Sequence, residues 1–278
     1  MSTIPVMING LPGNVAQIMA AAALKDERFA FVPFSLTGED ISDTHVTVAD
    51  RQVTLVKPGD RDLQIKEILD HHPGCIAIDY THPTAVNPNA EFYTRHGIPF
   101  VMGTTGGDRN ALEALVKAAS TPAVIAPNMA KQIVGLQAML EYAANTFPGL
   151  FNGYTLEVRE SHQQGKADTS GTAKAVVACF NALGTGFDMA DIQQVRDPGI
   201  QEKEWGIPKE HLGGHGWHTY TLRADDGSSL FELTHNINGR EIYVSGTFDA
   251  VVFLAGQAKR PDDGKRLYTM IDVMTQAG

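Results

Sequence analysis

Cysteine is nearly absent. The chain of 278 residues has two, Cys75 and Cys179, far apart and each in an apolar stretch. That excludes a disulfide framework and reads as two buried free thiols in a reducing compartment, the cytoplasm. Long hydrophobic runs are absent as well. Nothing spans a bilayer, the N-terminus lacks a signal-peptide pattern, and strand-like residues from Ile4 to Ile8 leave no room for a transit peptide. A membrane partner is therefore not expected. Basic residues are few, 22 against 32 acidic ones for a net charge of -10, and none of them form a run. This argues against nucleic acid as a partner. It also means that an anionic ligand must be drawn in by local positive groups. Internal repeats and low-complexity tracts are missing too.

What is present is enough apolar residue, 43%, to build a sizeable core over a length that favours two domains or one large α/β domain. The first half alternates strand and helix. Strands are expected at Ile4–Ile8, Ala30–Phe34, Cys75–Ile78, Ile98–Met102 and Ala123–Ala126. Helices are expected at Pro12–Lys25, Asp62–His71, around Ala90–His96 and at Asn110–Ala119. Strands that are apolar on both faces imply a parallel sheet covered by helices. After a helix at Lys131–Asn145 the pattern changes to longer alternating strands: Tyr154–Glu160, Trp217–Ala224, Leu230–His235 and Glu241–Phe248. Asp226-Gly227 and Asn238-Gly239 sit between them as hairpin turns. The expected architecture is a Rossmann-like parallel-sheet domain over residues 1–128 and an α+β domain with a mixed or antiparallel sheet over 129–248. C-terminal helices over 249–278 are expected to pack back on the first. An exposed antiparallel sheet face points to a homo-oligomer, dimer or tetramer.

Between the first strand and helix lies Gly10-Leu11-Pro12-Gly13-Asn14-Val15-Ala16. Gly10 permits a tight turn, Gly13 lets backbone approach a pyrophosphate at the helix N-terminus, and Ala16 allows close helix–strand contact. Pro12 suits the first helical turn. The G-x-x-G-x-x-A spacing is looser than G-x-G-x-x-G and also fits a plain strand-to-helix turn. At the end of the second strand, Ser35 stands where an NAD site places an acid, with Glu39 and Asp40 a little beyond; the loop reads equally as polar surface. The missing acid favours NADPH slightly over NADH as the cofactor. Three more loops follow strand ends, where such sheets bind ligands: Asp79-Tyr80-Thr81-His82-Pro83, Gly103-Thr104-Thr105-Gly106-Gly107 and Ala126-Pro127-Asn128-Met129. Each is also ordinary turn chemistry.

The most informative stretch runs from Glu157 to Ala173: a strand, a polar loop, and a helix starting near Thr172. Ser170, Gly171 and Thr172 form an anion site at a helix N-terminus. His162 and Lys166 are a titratable pair able to deliver a proton. The plainer alternative is a capping hydroxyl and a solvated lysine, and the residues alone leave both open. His211, His215 and His218 have the spacing H-x3-H-x2-H. Gly213, Gly214 and Gly216 make that stretch a loop, so no metal is expected.

These motifs resemble those of the 4-hydroxy-tetrahydrodipicolinate (dihydrodipicolinate) reductases of lysine and diaminopimelate biosynthesis, especially the branch found in plants and some bacteria. The resemblance covers nearly the whole chain. It includes the glycine turn, the Asp79, Gly103 and Ala126 loops, His162 to Ala173, Arg196-Asp-Pro198, His215-Gly-Trp-His218 and His235 to Arg240. It implies an NAD(P)H-dependent reductase acting on a small cyclic dicarboxylate. His162 and Lys166 would donate the proton, and Gly171 and Thr172 would bind a carboxylate. Arg240 is the candidate for the second carboxylate; without the resemblance it is a surface charge on a hairpin. The chain departs from the commoner bacterial form in having Gln163 where a second histidine stands, and in lacking a proline before the serine. Gln163 can donate a hydrogen bond but cannot titrate. Two other readings share the architecture: another imine or amine oxidoreductase, and a non-catalytic nucleotide sensor, which would lack the proton donors.

Overall fold

The computed structural model describes residues 3–257 and 264–276. The chain divides into two compact units, Met1–Lys131 with Tyr243–Gly278, and Gln132–Ile242. The first unit opens with β1 (Ile4–Asn9), α1 (Asn14–Ala23), β2 (Phe29–Phe31), β3 (Phe34–Leu36), β4 (His45–Val48) and β5 (Arg51–Val56). It continues through α2 (Arg61–His71), β6 (Ile76–Asp79), α3 (Val86–Arg95), β7 (Phe100–Met102), α4 (Arg109–Ala118) and β8 (Ala123–Ile125). Then come α5 (Lys131–Thr146), β9 (Tyr154–His162), α6 (Gly171–Ala182), β10 (Gln193–Val195), α7 (Pro198–Lys203), β11 (His215–Ala224) and β12 (Leu230–Asn238). The chain ends with α8 (Ile242–Gln257), β13 (Leu267–Tyr268) and α9 (Met270–Gln276).

Six parallel strands in the order β13-β8-β7-β6-β1-β2 form the sheet of the first unit. Its central strands are apolar at consecutive positions because both faces are covered: Val6, Met7, Ile8, Ile78, Phe100, Val101 and Met102 are fully buried. The chain leaves β1 toward β2 on one side and returns as β6 on the other. That reversal opens a crevice beyond the carboxyl ends of β1 and β6, where open α/β sheets take their ligands.

Two expected elements differ. The strand expected at Ala30–Phe34 is split, β2 joining the large sheet and β3 a separate sheet of order β3-β5-β4. Pro33, between them, has no N–H for a ladder and ends the first pairing. The expected strand Glu241–Phe248 is the start of α8, so Asn238-Gly239 is a strand-to-helix junction with Gly239 at φ +72. Its β-branched opening mimics alternation. The longer window shows the helical period, with Thr247, Ala250, Val251 and Leu254 buried on one face. Of the expected C-terminal helical segment, residues 258–263 and 277–278 lie outside the described residues.

The second unit is a sheet of order β10-β9-β11-β12, parallel between β10 and β9 and antiparallel elsewhere. The hairpin at Asp226-Gly227 closes as expected, with Gly227 at φ +71 and the Asp226 carboxylate accepting from the Ser228 N–H. Register places Val158, Tyr220 and Leu233 in one row across the sheet, and Glu160, His218 and His235 in the next. One face therefore changes character along its length. The lower rows, with Leu156 and Leu222, pack on Val176, Val177 and Phe180 of α6. The upper rows are ionisable, and the N-terminus of α6 meets them: the Ser170 N–H donates to Glu160 at 3.1 Å.

Candidate active site

In the first unit the crevice is a cleft of about 780 Å³ lined by the Gly10–Gly13 turn, Thr37–Ile41, Arg61 and Tyr80–His82. Gly10 sits at φ +106, and a Cβ there would lie 2.3 Å from the Tyr80 carbonyl oxygen. Gly13 caps α1 without a side-chain hydrogen bond, and no acid occupies the first turn. The N–H groups at Asn14 and Val15 and the helix dipole are left for an anion. Pro12 precedes this cap rather than starting the helix as expected.

Several expected cofactor residues turn inward. Ser35 is fully buried, its hydroxyl accepting from the Leu11 N–H at 3.2 Å, so it braces the glycine turn and has no face toward a ribose. Asp79 is fully buried. Its carboxylate accepts from the Tyr93 hydroxyl (2.7 Å), Asn89 (2.9 Å), the Thr81 hydroxyl (2.8 Å) and N–H (3.1 Å), and the Thr104 hydroxyl (2.6 Å). It ties two ligand loops together and has no acceptor capacity left for a cofactor. Gly103 is required for closeness, since a Cβ would lie 2.4 Å from the Tyr80 ring. Thr105 and Pro127 are exposed, Asn128 is half-buried with its side chain accepting from the Ala130 N–H, and Ala126 and Met129 are buried.

Sequence reasoning missed Arg61. Its guanidinium is buried in the cleft wall, donating to Asn89 (2.8 Å) and the Thr37 carbonyl (2.8 Å) and leaving Nε without a partner. Burial lowers its proton affinity. An arginine opening a helix runs against the dipole, and that mismatch was the available signal.

In the second unit, β9, β11 and β12 bring histidines together. His162 Nδ1 faces the His215 carbonyl at 3.0 Å, and its Nε2 lies 3.1 Å from His218 Nε2. Its ring rests on Gly216, where a Cβ would come within 3.1 Å. His218 Nδ1 meets the Tyr220 hydroxyl at 3.0 Å, and His235 stacks on His218 with ring centroids 4.5 Å apart. Burial lowers His162, with Glu160 opposing. Burial pushes His218 down to about 2, aided by His235 and His162, and His235 down to about 4.

Glu160 is fully buried and paired with Arg196 at 2.6 Å. Arg196 also donates to the Lys166 carbonyl at 2.8 Å, while Glu160 takes the Ser170 N–H. One ion pair thus buckles both ends of the loop that carries Lys166 and leads into α6. Breaking such a buried pair from one side costs about 3–5 kcal/mol. Lys166 Nζ donates to Asp168 at 2.8 Å, and Asp168 is 77% exposed. At the mouth of α6 the Ser170 hydroxyl makes no capping bond, and nothing lies within 4 Å of a Cβ built on Gly171. Thr172 and Gln163 are half-buried. Arg240, between β12 and α8, has no ion-pair partner among the described residues.

The expected loop at His211–His218 is largely strand, since β11 begins at His215. His215 and His218 are three apart on it and face opposite ways, so they cannot chelate together. Glu160, His162 and His218 do converge, with one ligand atom of each within 4.8 Å of the others. The Arg196 guanidinium and the His162–His218 hydrogen bond already satisfy that cluster. Glu160, Arg196, His218 and His235 were not among the expected site residues. The signal for Glu160, His218 and His235 is an ionisable residue at an inward position of an otherwise apolar alternation; Arg196 was visible only within the Arg196-Asp-Pro198 motif.

Two domains described as "Dihydrodipicolinate reductase, N-terminus" and "Dihydrodipicolinate reductase, C-terminus" match residues 4–129 and 133–274. The chain is 45% identical to the chloroplastic 4-hydroxy-tetrahydrodipicolinate reductase 1 of Arabidopsis thaliana, over 98% of this chain and 78% of that one. It is 44% identical to the probable chloroplastic reductase 2 of Oryza sativa, over 98% and 83%. A dipicolinate-bound dihydrodipicolinate reductase from Paenisporosarcina shares the fold, with a TM-score of 0.66 at 19% identity over 96% of this chain and 98% of that one. Among the described residues no helix is long and apolar enough to cross a membrane.

Proposed function

The chain belongs to the dihydrodipicolinate reductase family, and we propose that it reduces 4-hydroxy-tetrahydrodipicolinate to tetrahydrodipicolinate in lysine and diaminopimelate biosynthesis. Replacing the ring hydroxyl by hydrogen consumes one hydride and one proton and releases water. A reduced nicotinamide dinucleotide supplies the hydride. The first unit holds that cofactor through the Gly10–Gly13 turn and the α1 N-terminus. Loops 79–83, 103–107 and 126–129 complete the site, shaped from behind by Asp79 and Ser35.

The second unit holds the substrate. Loss of the hydroxyl and a neighbouring ring hydrogen, together as water, leaves a conjugated C=C–C=N system, and its reduction builds negative charge that a proton must quench. Lysine is by type a cationic donor, whereas burial lowers the proton affinity of His162. Lys166 is therefore the donor, with His162 beside it as a neutral hydrogen-bonding group. Ser170, Gly171 and Thr172 take one carboxylate, with Gln163 adding an amide donor, and Arg240 takes the other. The observation that carries this reading is the Glu160–Arg196 buckle, which fixes proton donor and anion turn in one loop. Thr172→Val and Arg240→Ala are each expected to raise KM for the dicarboxylate about 10- to 100-fold, the equivalent of a charge-assisted contact of roughly 1.5–3 kcal/mol. Cofactor Kd should not move. Unchanged KM in Arg240→Ala removes that residue from the site.

Arg61 in the cleft wall favours use of NADPH at least as well as NADH, against the opposing charge of Glu39 and Asp40. Glu39→Gln should improve the NADPH to NADH affinity ratio about two- to fivefold, as expected for an exposed charge. Calorimetric titration with both cofactors reads this directly, and an unchanged ratio places the 2′-phosphate elsewhere. The two free buried thiols fit action in a reducing compartment, the cytoplasm. Exposed Leu230 and Phe231 on edge strand β12 fit a homo-oligomer, a dimer or tetramer, which sedimentation velocity resolves.

A further inference from the structure

The hydrogen bonds around His162 restrict where its protons sit. The His215 carbonyl can only accept, so His162 Nδ1 carries hydrogen. With the ring neutral, His162 Nε2 is bare, and the proton in the 3.1 Å contact belongs to His218 Nε2. His218 Nδ1 is then bare and accepts from the Tyr220 hydroxyl. The chain of donors runs one way: Tyr220 to His218, His218 to His162, His162 to the backbone. Protonating His162 would set two hydrogens face to face, unless His218 moved its own proton to Nδ1 and Tyr220 became the acceptor.

We propose that His218 is a positioning residue for the reduction: the His215 carbonyl sets the Nδ1–H tautomer of His162, and the His218 Nε2–H occupies the remaining lone pair and keeps the ring uncharged, so that Lys166 alone carries the proton at the anion-binding turn. The role in reduction rests on the function proposed above; the uncharged ring does not. Of the charges facing His162, Arg196 and Lys166 favour the neutral ring and Glu160 opposes it. On β9, Glu160 has its Oε2 3.9 Å from His162 Nε2, too far for a hydrogen bond, and is paired with Arg196 from beyond β10. Lys166 approaches from the loop as a second cation. From β11 come His215, its ring stacked on His162 with centroids 6.5 Å apart, and His218 and Tyr220. From β12, His235 covers the far side of His218 with both ring nitrogens buried and unpartnered, so no cation is supplied from there. His218 is 2% exposed and cannot draw a proton from solvent.

The test follows the ring nitrogens of His162 by ¹⁵N NMR as pH is varied, in the full chain and in His218→Leu, His218→Gln and Tyr220→Phe, alongside the pH profile of kcat/KM. The wild type should show one tautomer, with His162 ionising below the ordinary histidine range. In His218→Leu the midpoint of His162 should rise by about one unit or more, with the Nδ1–H tautomer retained and a new ionisation in the kcat/KM profile. His218→Gln, whose amide N–H replaces the Nε2–H, should restore the wild-type spectrum. It also keeps the test decisive if the leucine variant does not fold. Tyr220→Phe should fall between. An unaltered midpoint in His218→Leu, or no rescue by Gln, overturns the proposal. Because the NMR readout needs no substrate, a wild type that does not turn over would sink the reductase reading and leave the NMR result standing on its own.

Discussion

Lys166→Ala is expected to lower the single-turnover rate of reduction about 10²- to 10⁴-fold, the loss typical of a missing general acid, with cofactor Kd unchanged. The lysine is not part of a packed core. Its ammonium is held by Asp168, itself mostly in solvent, and its loop is fixed by the backbone bond from Arg196 to the Lys166 carbonyl. That bond survives truncation of the side chain, so the variant should fold and keep the anion turn. Lys166→Arg should be nearly as slow, because a guanidinium keeps the charge but does not release a proton at these pH values. If both variants reduce substrate at the wild-type rate, the lysine is a solvated surface charge and the proton comes from elsewhere.

Gly10→Ala should weaken NADPH and NADH alike, by about tenfold to a hundredfold. Two costs combine. The residue sits at φ +106, where side chains are strained by roughly 1–3 kcal/mol. The added methyl also meets the Tyr80 carbonyl at 2.3 Å, a backbone atom that cannot rotate away. Relief requires the turn to shift, and the turn carries the Gly13 N–H to Gly10 carbonyl bond that presents the α1 N-terminus. Fluorescence titration with each cofactor measures the effect, and a thermal melt separates it from unfolding. Full affinity in a folded Gly10→Ala protein would show that the cofactor does not use this turn.

The parallel sheet was legible in the sequence because strands buried on both faces leave unbroken apolar runs, and those runs ended close to where β1, β6, β7 and β8 end. The start of α6 near Thr172 was legible because hydroxyls gather before helices, whether as caps or as an anion turn. Direction was not legible. Ser35 and Asp79 stand at strand ends, where ligands bind, yet both point inward, since position along a chain does not say which way the last side chain of a strand turns. Register was not legible either. Glu160, His218 and His235 meet only because β9, β11 and β12 pair in one register, over separations of tens of residues that alternation alone does not fix. Arg196 was visible within a motif, but its service to both Glu160 and Lys166 depends on β10 lying parallel to β9. The start of α8 was misread because Ile242, Tyr243 and Val244 favour strands locally, and the helical period emerges only over sixteen residues.

The most direct test supplies purified protein with 4-hydroxy-tetrahydrodipicolinate and each reduced nicotinamide cofactor, following cofactor oxidation and the mass of the product. The expected result is one cofactor oxidised per substrate consumed, a product lighter by one oxygen atom, and inhibition by pyridine-2,6-dicarboxylate that is competitive with substrate. Tight cofactor binding with no oxidation of either cofactor in the presence of this substrate would contradict the account and favour a nucleotide sensor.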